Sequence, residues 1–205
     1  FLVQQDRTFR LGSGLIPLGM KALSAVDIRK SSRPVLHELA NRTGETAHLA
    51  ILVNNRSVII EVVDSPHPLR VASQPGTAVD LHCSATGKVL LAFALGERRS
   101  EVIPTLKLER RTHKTLTTPE ALERECQIIM DQGFATDDEE FYVGVRCLAA
   151  PVFQADGRTI AAIGVTGSTS RFTLDKLEPF SRMVREAGEQ VSQAMGYGCL
   201  ATSAM

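Results

Sequence analysis

Two apolar runs, Cys147 to Phe153 and Arg158 to Thr166, flank Ala155-Asp156-Gly157, and they constrain the fold more than any other stretch of the chain. Asp-Gly tolerates the positive φ angles of a tight hairpin turn, so the runs should lie side by side as antiparallel strands. If Asp156 and Gly157 are the central turn residues, Cys147 falls opposite Thr166 and Ala149 opposite Gly164, all on one face. That face carries small or hydroxyl-bearing side chains. The other carries Leu148, Ile163 and Val165, the pattern of a layer turned to a core. A floor of small residues fits either a pocket or a closely packed helix, and Pro151 admits a bulge that would change the register.

A second hairpin is expected from Thr46 to Val53 and Ser57 to Val63, two β-branched runs around Asn54-Asn55. Helical spacing predicts a linking helix over 13–25, with Leu15, Leu18 and Leu23 inward and Pro17 in its first turn, then a helix from an Asp27 N-cap to Asn41, with Gly44 beyond its end. Ser84 can cap a helix that runs to Leu95, where Gly96 stops it, and Thr118-Pro119 opens another that ends at Gly133. The last helix, Thr173 to Met195, shows Leu177, Phe180, Val184, Ala187 and Val191 in a 3,4,3,4 stripe. Short strands are expected at 1–4 and 8–11 around Gln5-Asp6-Arg7, and at Leu69 to Ser73 among Pro66, Pro68 and Pro75. Hairpins separated by helices give an α+β domain, an antiparallel sheet with helices packed on it.

Charge narrows the functions. Lys plus Arg and Asp plus Glu both number 23, so no overall basic field draws nucleic acid, and any DNA contact must be local. The four cysteines lack C-x-x-C spacing, which fits a reducing cytoplasm. With neither an apolar run of ~18 residues nor a signal-peptide pattern, a soluble, cytoplasmic protein is expected. Phe1-Leu2-Val3 opens the chain abruptly without an initiator methionine, so it reads as part of something longer.

Chemistry concentrates in Leu81-His82-Cys83-Ser84-Ala85-Thr86-Gly87-Lys88. With Ser84 as N-cap, the first amides of the helix, Ala85 and Thr86, have no intrahelical acceptor and suit an anion, while small Ala85 and Gly87 would let a ligand approach the backbone. An ordinary capped helix is the alternative. In the acidic run Asp137-Asp138-Glu139-Glu140, a solvated loop by default, Asp137 is best placed to turn inward. Cys147, His82 and Asp137 could form the triad of a cysteine-dependent hydrolase, and His82, Cys83, Asp137 and Cys147 could serve metal or thiol-redox sensing, although their spacing lacks a metal signature. Neither reading leads: no catalytic residue, metal or cofactor is expected. His37, His48, His67 and His113 read as surface or structural residues, and Cys126 as helix core.

Several segments in order resemble the IclR family of bacterial transcription regulators over nearly the whole chain. They are Phe9-Arg10-Leu11-Gly12, Thr43-Gly44-Glu45-Thr46, Glu61-Val62-Val63, the stretch from Leu81 to Lys88, Gly133-Phe134-Ala135, Asp138-Glu139-Glu140, and Gly144 to Val152. The resemblance implies an N-terminal winged helix-turn-helix joined by a helix to an effector-binding domain related to GAF and profilin-like folds. On that basis 1–12 is the remnant of the wing, 13–25 the linker helix, 26–198 the effector-binding domain and 199–205 a tail. The helix that reads the major groove would lie upstream, so operator DNA is a partner of the full-length protein only. Homodimers or homotetramers and a small organic acid effector are implied as well, with no membrane partner.

The resemblance places a carboxylate ligand on amides matching Ala85 and Thr86, beside Ser84, with polar contacts from Asp137, Cys147 and two hydroxyls at the positions of Gly164 and Thr166. Family members often read Ser-x-Ser-Gly there, whereas this chain reads Gly164-Val165-Thr166-Gly167; glycine leaves more room, and Thr166 keeps a donor. Ala149 completes the floor, and Leu69, Val71, Leu81 and Val89 are candidate apolar walls.

Overall fold

The computed structural model describes residues 2–5, 8–11, 13–14 and 28–198. The expected linking helix, the Asp27 cap and the tail lie mostly or wholly outside them. Strands β1 (Leu2–Gln5) and β2 (Thr8–Leu11) pair antiparallel as a separate two-stranded sheet.

The main sheet has six antiparallel strands: β3 (Thr46–Val53), β4 (Arg56–Val63), β5 (Ala78–Val79), β6 (Ala135–Asp138), β7 (Val145–Phe153) and β8 (Thr159–Ser168), in spatial order β5-β4-β3-β8-β7-β6. Helix α1 (Ile28–Thr43) precedes β3. Between β5 and β6 lie α2 (Ala85–Val89), which runs on as a π-helical turn through Leu90–Ala94, the single turn α3 (Arg99–Val102) and α4 (Pro119–Gln132); α5 (Leu177–Ala194) closes the chain. The architecture is the expected α+β sheet with helices packed on it. Among the described residues, no helix is long and apolar enough to cross a membrane.

Turn chemistry sets the registers. Asn54 and Asn55 adopt φ of 48° and 57°, as the β3–β4 turn requires. In the β7–β8 ladder Cys147 pairs with Thr166 and Ala149 with Gly164, as the turn residues predict. The loop itself takes three residues, Ala155-Asp156-Gly157, with the Gln154 amide donating to the Arg158 carbonyl at 2.9 Å, and a bulge at Val152/Phe153 supplies the one-residue shift that brings Cys147 opposite Thr166. Thr118 Oγ1 accepts from the Ala121 amide at 3.3 Å to open α4, and Gly133 ends it at φ 79°.

One expected strand is absent. Leu69 to Ser73 forms no ladder, and the short edge strand lies further on, at Ala78–Val79. Side chains hold the stretch instead: Thr46 Oγ1 donates to the Val71 carbonyl at 3.1 Å and Arg171 Nη1 to the Leu69 carbonyl at 2.8 Å. Pro66 and Pro68, with no N–H to give, disfavour a ladder there.

The sheet divides two cores. On one face Leu148, Ile163 and Val165 pack with Leu36 and Leu39 of α1 and Phe180, Val184 and Val191 of α5. On the other, Ala149 and Ala162 meet Ala85, Val89 and Leu90 along with Leu122, Cys126 and Ile129 of α4. Small strand residues let helices come close to the sheet, and Gly188 of α5 does the same on the first face: a Cβ there would stand 2.7 Å from the Pro151 carbonyl oxygen.

Gly188→Ala therefore sets a helix-propensity gain of about 1 kcal/mol against an overpacking cost of about 1–3 kcal/mol. Because the obstacle is backbone, we expect net destabilisation, read as a lower urea midpoint, whereas Gln190→Ala on the exposed side of α5 should leave the midpoint unchanged or slightly raised.

Candidate functional site

Ser84 is extended, at φ −114° and ψ 144°; its Oγ donates to the Asp80 carbonyl at 2.6 Å and accepts from the Gly87 amide at 3.2 Å. The Lys88 amide donates to the Ser84 carbonyl at 2.9 Å. The amides of Ala85 and Thr86 find no acceptor among the described residues, as the first turn of a helix leaves them. Gly87 has a different task from the one expected. A Cβ there would lie 2.5–2.6 Å from Ser84 Oγ, the Asp80 carbonyl and Leu81 Cα, so glycine lets the helix sit on its own preceding turn rather than admitting a ligand.

These amides face a cavity of about 250 Å³ between α2 and the small-residue face of the sheet. Ser84, Ala85, Thr86, Asp137, Cys147, Thr166 and Val71 all line it. Five other predicted residues do not. Leu69 is 78 % exposed, because its stretch is held to the domain through its carbonyl and not its side chain. Leu81 is buried in the second core beneath α2, and Ala149 lies in that core too. Gly164 adds no room, since the place of its side chain is taken by β7: a Cβ would meet the Leu148 carbonyl oxygen at 2.3 Å. Val89 is likewise core. A larger open cleft of about 540 Å³, beside Met130, Phe153 and Arg185, contains none of the predicted residues.

Asp137 does turn inward. It is 2 % exposed, and its Oδ1 accepts from the amides of Glu140 at 2.7 Å and Phe141 at 3.3 Å. Burial raises its carboxyl to about 6, and those amide bonds with the nearby Lys88 charge keep the rise from going further. It stands opposite Cys147 in the β6–β7 ladder, and the Cys147 Sγ lies 3.0 Å from Thr166 Oγ1. Burial and the Asp137 charge push the Cys147 thiol well above its usual range, so it remains a protonated hydrogen-bonding group.

Three features escape a reading of the sequence. Lys88 is 1 % exposed and donates to Glu140 Oε1 at 2.6 Å and Glu125 Oε1 at 2.9 Å. Burial pulls its ammonium down, but the two carboxylates outweigh that and raise it above the ordinary value; burial carries Glu140 up to about 7. Phe141 and Tyr142, from the turn after β6, and Val145, the first residue of β7, close the side of the cavity by Asp137. His48 of β3, expected to be surface or structural, also lines the cavity. Its position two residues after Thr46 on an alternating strand is the available signal.

The arrangement suits binding better than nucleophilic chemistry. His82 Nε2 bonds to the Glu109 carbonyl at 3.0 Å and lines a separate cavity with Asp80 and Arg56, so it does not serve Cys147 as a base. The four residues considered for metal do not assemble either. His82 and Cys83 cluster with Asp80, whose carboxylate is already paired with Arg56 and Arg111 at 2.7 Å each.

Asp137 yields a signed pH prediction. Its carboxyl is raised in the fold, so the native state binds more protons than the unfolded chain between about pH 4 and 6, and the Asp137 contribution must fall as pH rises through that window. A rise from the ordinary 3.8 to about 6 corresponds to about 3 kcal/mol. Asp137→Asn, which keeps the acceptor oxygen, should therefore gain on the wild type by roughly that amount from pH 4 to 7 in urea titrations. The comparison isolates Asp137 from His48, whose imidazole, lowered to about 4 by burial, contributes stability of opposite slope. A constant difference across the window would refute the assignment.

Comparison with known proteins agrees with this architecture. The family described as bacterial transcriptional regulator IclR C-terminal matches residues 20–193. The HTH-type transcriptional regulator KdgR of Escherichia coli (strain K12) is 34% identical over 193 residues, covering 94% of this chain and 73% of that protein. XynR, an HTH-type transcriptional regulator of the same organism, is 36% identical over 194 residues, covering 94% and 77%. The crystal structure of the Thermotoga maritima IclR superposes with a TM-score of 0.79 at 31% identity, covering 96% of this chain and 80% of that one. The chain thus belongs to the IclR family of bacterial transcriptional regulators and carries its C-terminal regulatory domain.

Proposed function

We propose that this domain senses a small organic acid and passes the information to operator binding by the full-length regulator. The observation that carries the reading is the pair of unsatisfied amides, Ala85 and Thr86, opening into a walled cavity. Such donors, at the positive end of a helix, suit a carboxylate. About 250 Å³ is below the ~300–1,000 Å³ of sites for drug-sized ligands, which points to a compact metabolite. Ser84 shapes the turn that presents the amides. Cys147 and Thr166 supply polar contacts, Val71 an apolar wall, and Asp137 an acceptor for a ligand hydroxyl.

Among the described residues, no Lys or Arg side chain lines the cavity, and Asp137 is ionised near neutral pH. An anion is therefore oriented by repulsion as well as attraction, its carboxylate toward α2 and its polar remainder toward Asp137. In this reading β1 and β2 are wing strands of the DNA-binding unit, residues 13–25 are the linker, and the working protein is a homodimer or homotetramer matched to two-fold DNA. The ligand acts by its different affinity for two arrangements of the full-length protein, which bounds the effect on DNA.

The test uses the chain itself with a broad panel of small carboxylates. An acid at a hundred times its Kd should stabilise by about 2.7 kcal/mol, raising Tm by about 5–10 °C for a domain of this size. Ala85→Pro removes one amide hydrogen at the first helical position, where proline is tolerated and the extended Ser84 already suits it. It should leave the fold intact and weaken binding about tenfold to a hundredfold. Failure of every acid to raise Tm would sink the proposal.

A further inference from the structure

Among the described residues that line the cavity, His48 alone has a buried side-chain polar atom with no hydrogen-bond partner, its Nδ1, and the residue is 6 % exposed. A buried nitrogen left unpaired is costly, and native structures rarely keep one without a use. Its place on the sheet is defined: His48 pairs with Gly164, and Thr46 with Thr166, across the β3–β8 ladder. His48 and Thr166 thus share the face that looks toward α2, and the residues opposite His48, Gly164 on β8 and Val62 on β4, offer its imidazole no side-chain hydrogen bond.

We propose that His48 reads a second oxygen of the bound acid, so that the pocket selects a carboxylate bearing a hydroxyl over its unsubstituted analogue. This rests on the reading of the cavity as an acid site. The carboxylate occupies the amides of Ala85 and Thr86, and the remainder of the ligand lies along the sheet, within the reach of His48. Burial lowers the imidazole to about 4, so near neutral pH it is uncharged, with one nitrogen donating and the other accepting. Nδ1 has almost no accessible surface as the ring stands, so the ligand must draw it toward the cavity by a turn of the imidazole; a hydroxyl, which both gives and takes a hydrogen bond, then satisfies it in either tautomer, and a methylene leaves it orphaned. His48 is accordingly a specificity-determining residue and not a second anchor for the negative charge.

The experiment is calorimetric titration of the chain, near neutral pH, with butyrate and with 2-, 3- and 4-hydroxybutyrate. For the wild type at least one hydroxy acid should bind about tenfold or more tightly than butyrate, the scale set by leaving a buried polar atom unpaired. His48→Leu should bring that ratio to about one, and His48→Asn, which places a polar atom near the Nδ1 position, should keep most of it. A folded His48→Leu protein that loses affinity for all four acids in equal proportion, with the ratio preserved, makes His48 a packing residue and overturns the inference. Wild-type binding of butyrate as tight as that of every hydroxy acid overturns it too, while leaving the acid site standing. If none of the four binds and the wider carboxylate panel also fails, the acid site itself falls, and this inference with it.

Discussion

The site rests on one buried cation. Lys88 is almost fully enclosed, and an ammonium so placed would carry a desolvation penalty of several kcal/mol if it stood alone. Glu125 of α4 and Glu140 of the turn after β6 must both reach it, which ties α2 to two segments distant in sequence. Glu140 then carries the constraint onward. Its amide donates to Asp137, Asp137 stands opposite Cys147, and Cys147 meets Thr166 on the neighbouring strand. The groups facing the cavity are thereby held by hydrogen bonds and charge pairs that run from the helix to the centre of the sheet.

Room for that chain of contacts comes from the division of labour between the sheet's two faces. Leu148, Ile163 and Val165 fill the space under α1 and α5, so the domain gains apolar burial there without help from the other side. Ala149, Ala162 and Gly164 on the opposite face let α2 approach while keeping its first turn open. The price is tolerance: Gly87, Gly164 and Gly188 each stand where a Cβ would strike backbone. Substitution at any of them would move a helix or a strand, not merely crowd a side chain.

Much of this is legible in the sequence wherever local chemistry decides the outcome. The Asp156-Gly157 turn and the bulge beside Pro151 together bring Cys147 against Thr166, and Thr118-Pro119 and Gly133 bound α4 because caps and turns depend on a few adjacent residues. Leu69 reads wrongly as a wall because apolarity does not reveal that a stretch is fastened through its carbonyls, by Arg171 more than a hundred positions away. The Lys88–Glu140 pair spans 52 positions and leaves no periodic trace, so a helix lysine and a member of an acidic run both look like solvated charges. His48 is similarly hidden: a polar residue in a strand becomes informative only when its cross-strand neighbours, Gly164 and Val62, are known to give it no hydrogen-bond partner.

Electrostatics then limits what the pocket can be. A helix terminus contributes about 0.3–1 kcal/mol toward an anion at exposed sites and up to about 2 when partly buried. Among the described residues no cationic side chain lining the cavity adds to it, while Asp137 opposes it. Charge by itself cannot provide tight binding in such a cavity, so affinity for the proposed acid must come from direct hydrogen bonds to the amides and from fit against the strand face. That balance favours discrimination over strength. A ligand whose oxygens match Asp137, Thr166 and His48 recovers the desolvation of each group, whereas a mismatched one leaves buried polar atoms unpaired.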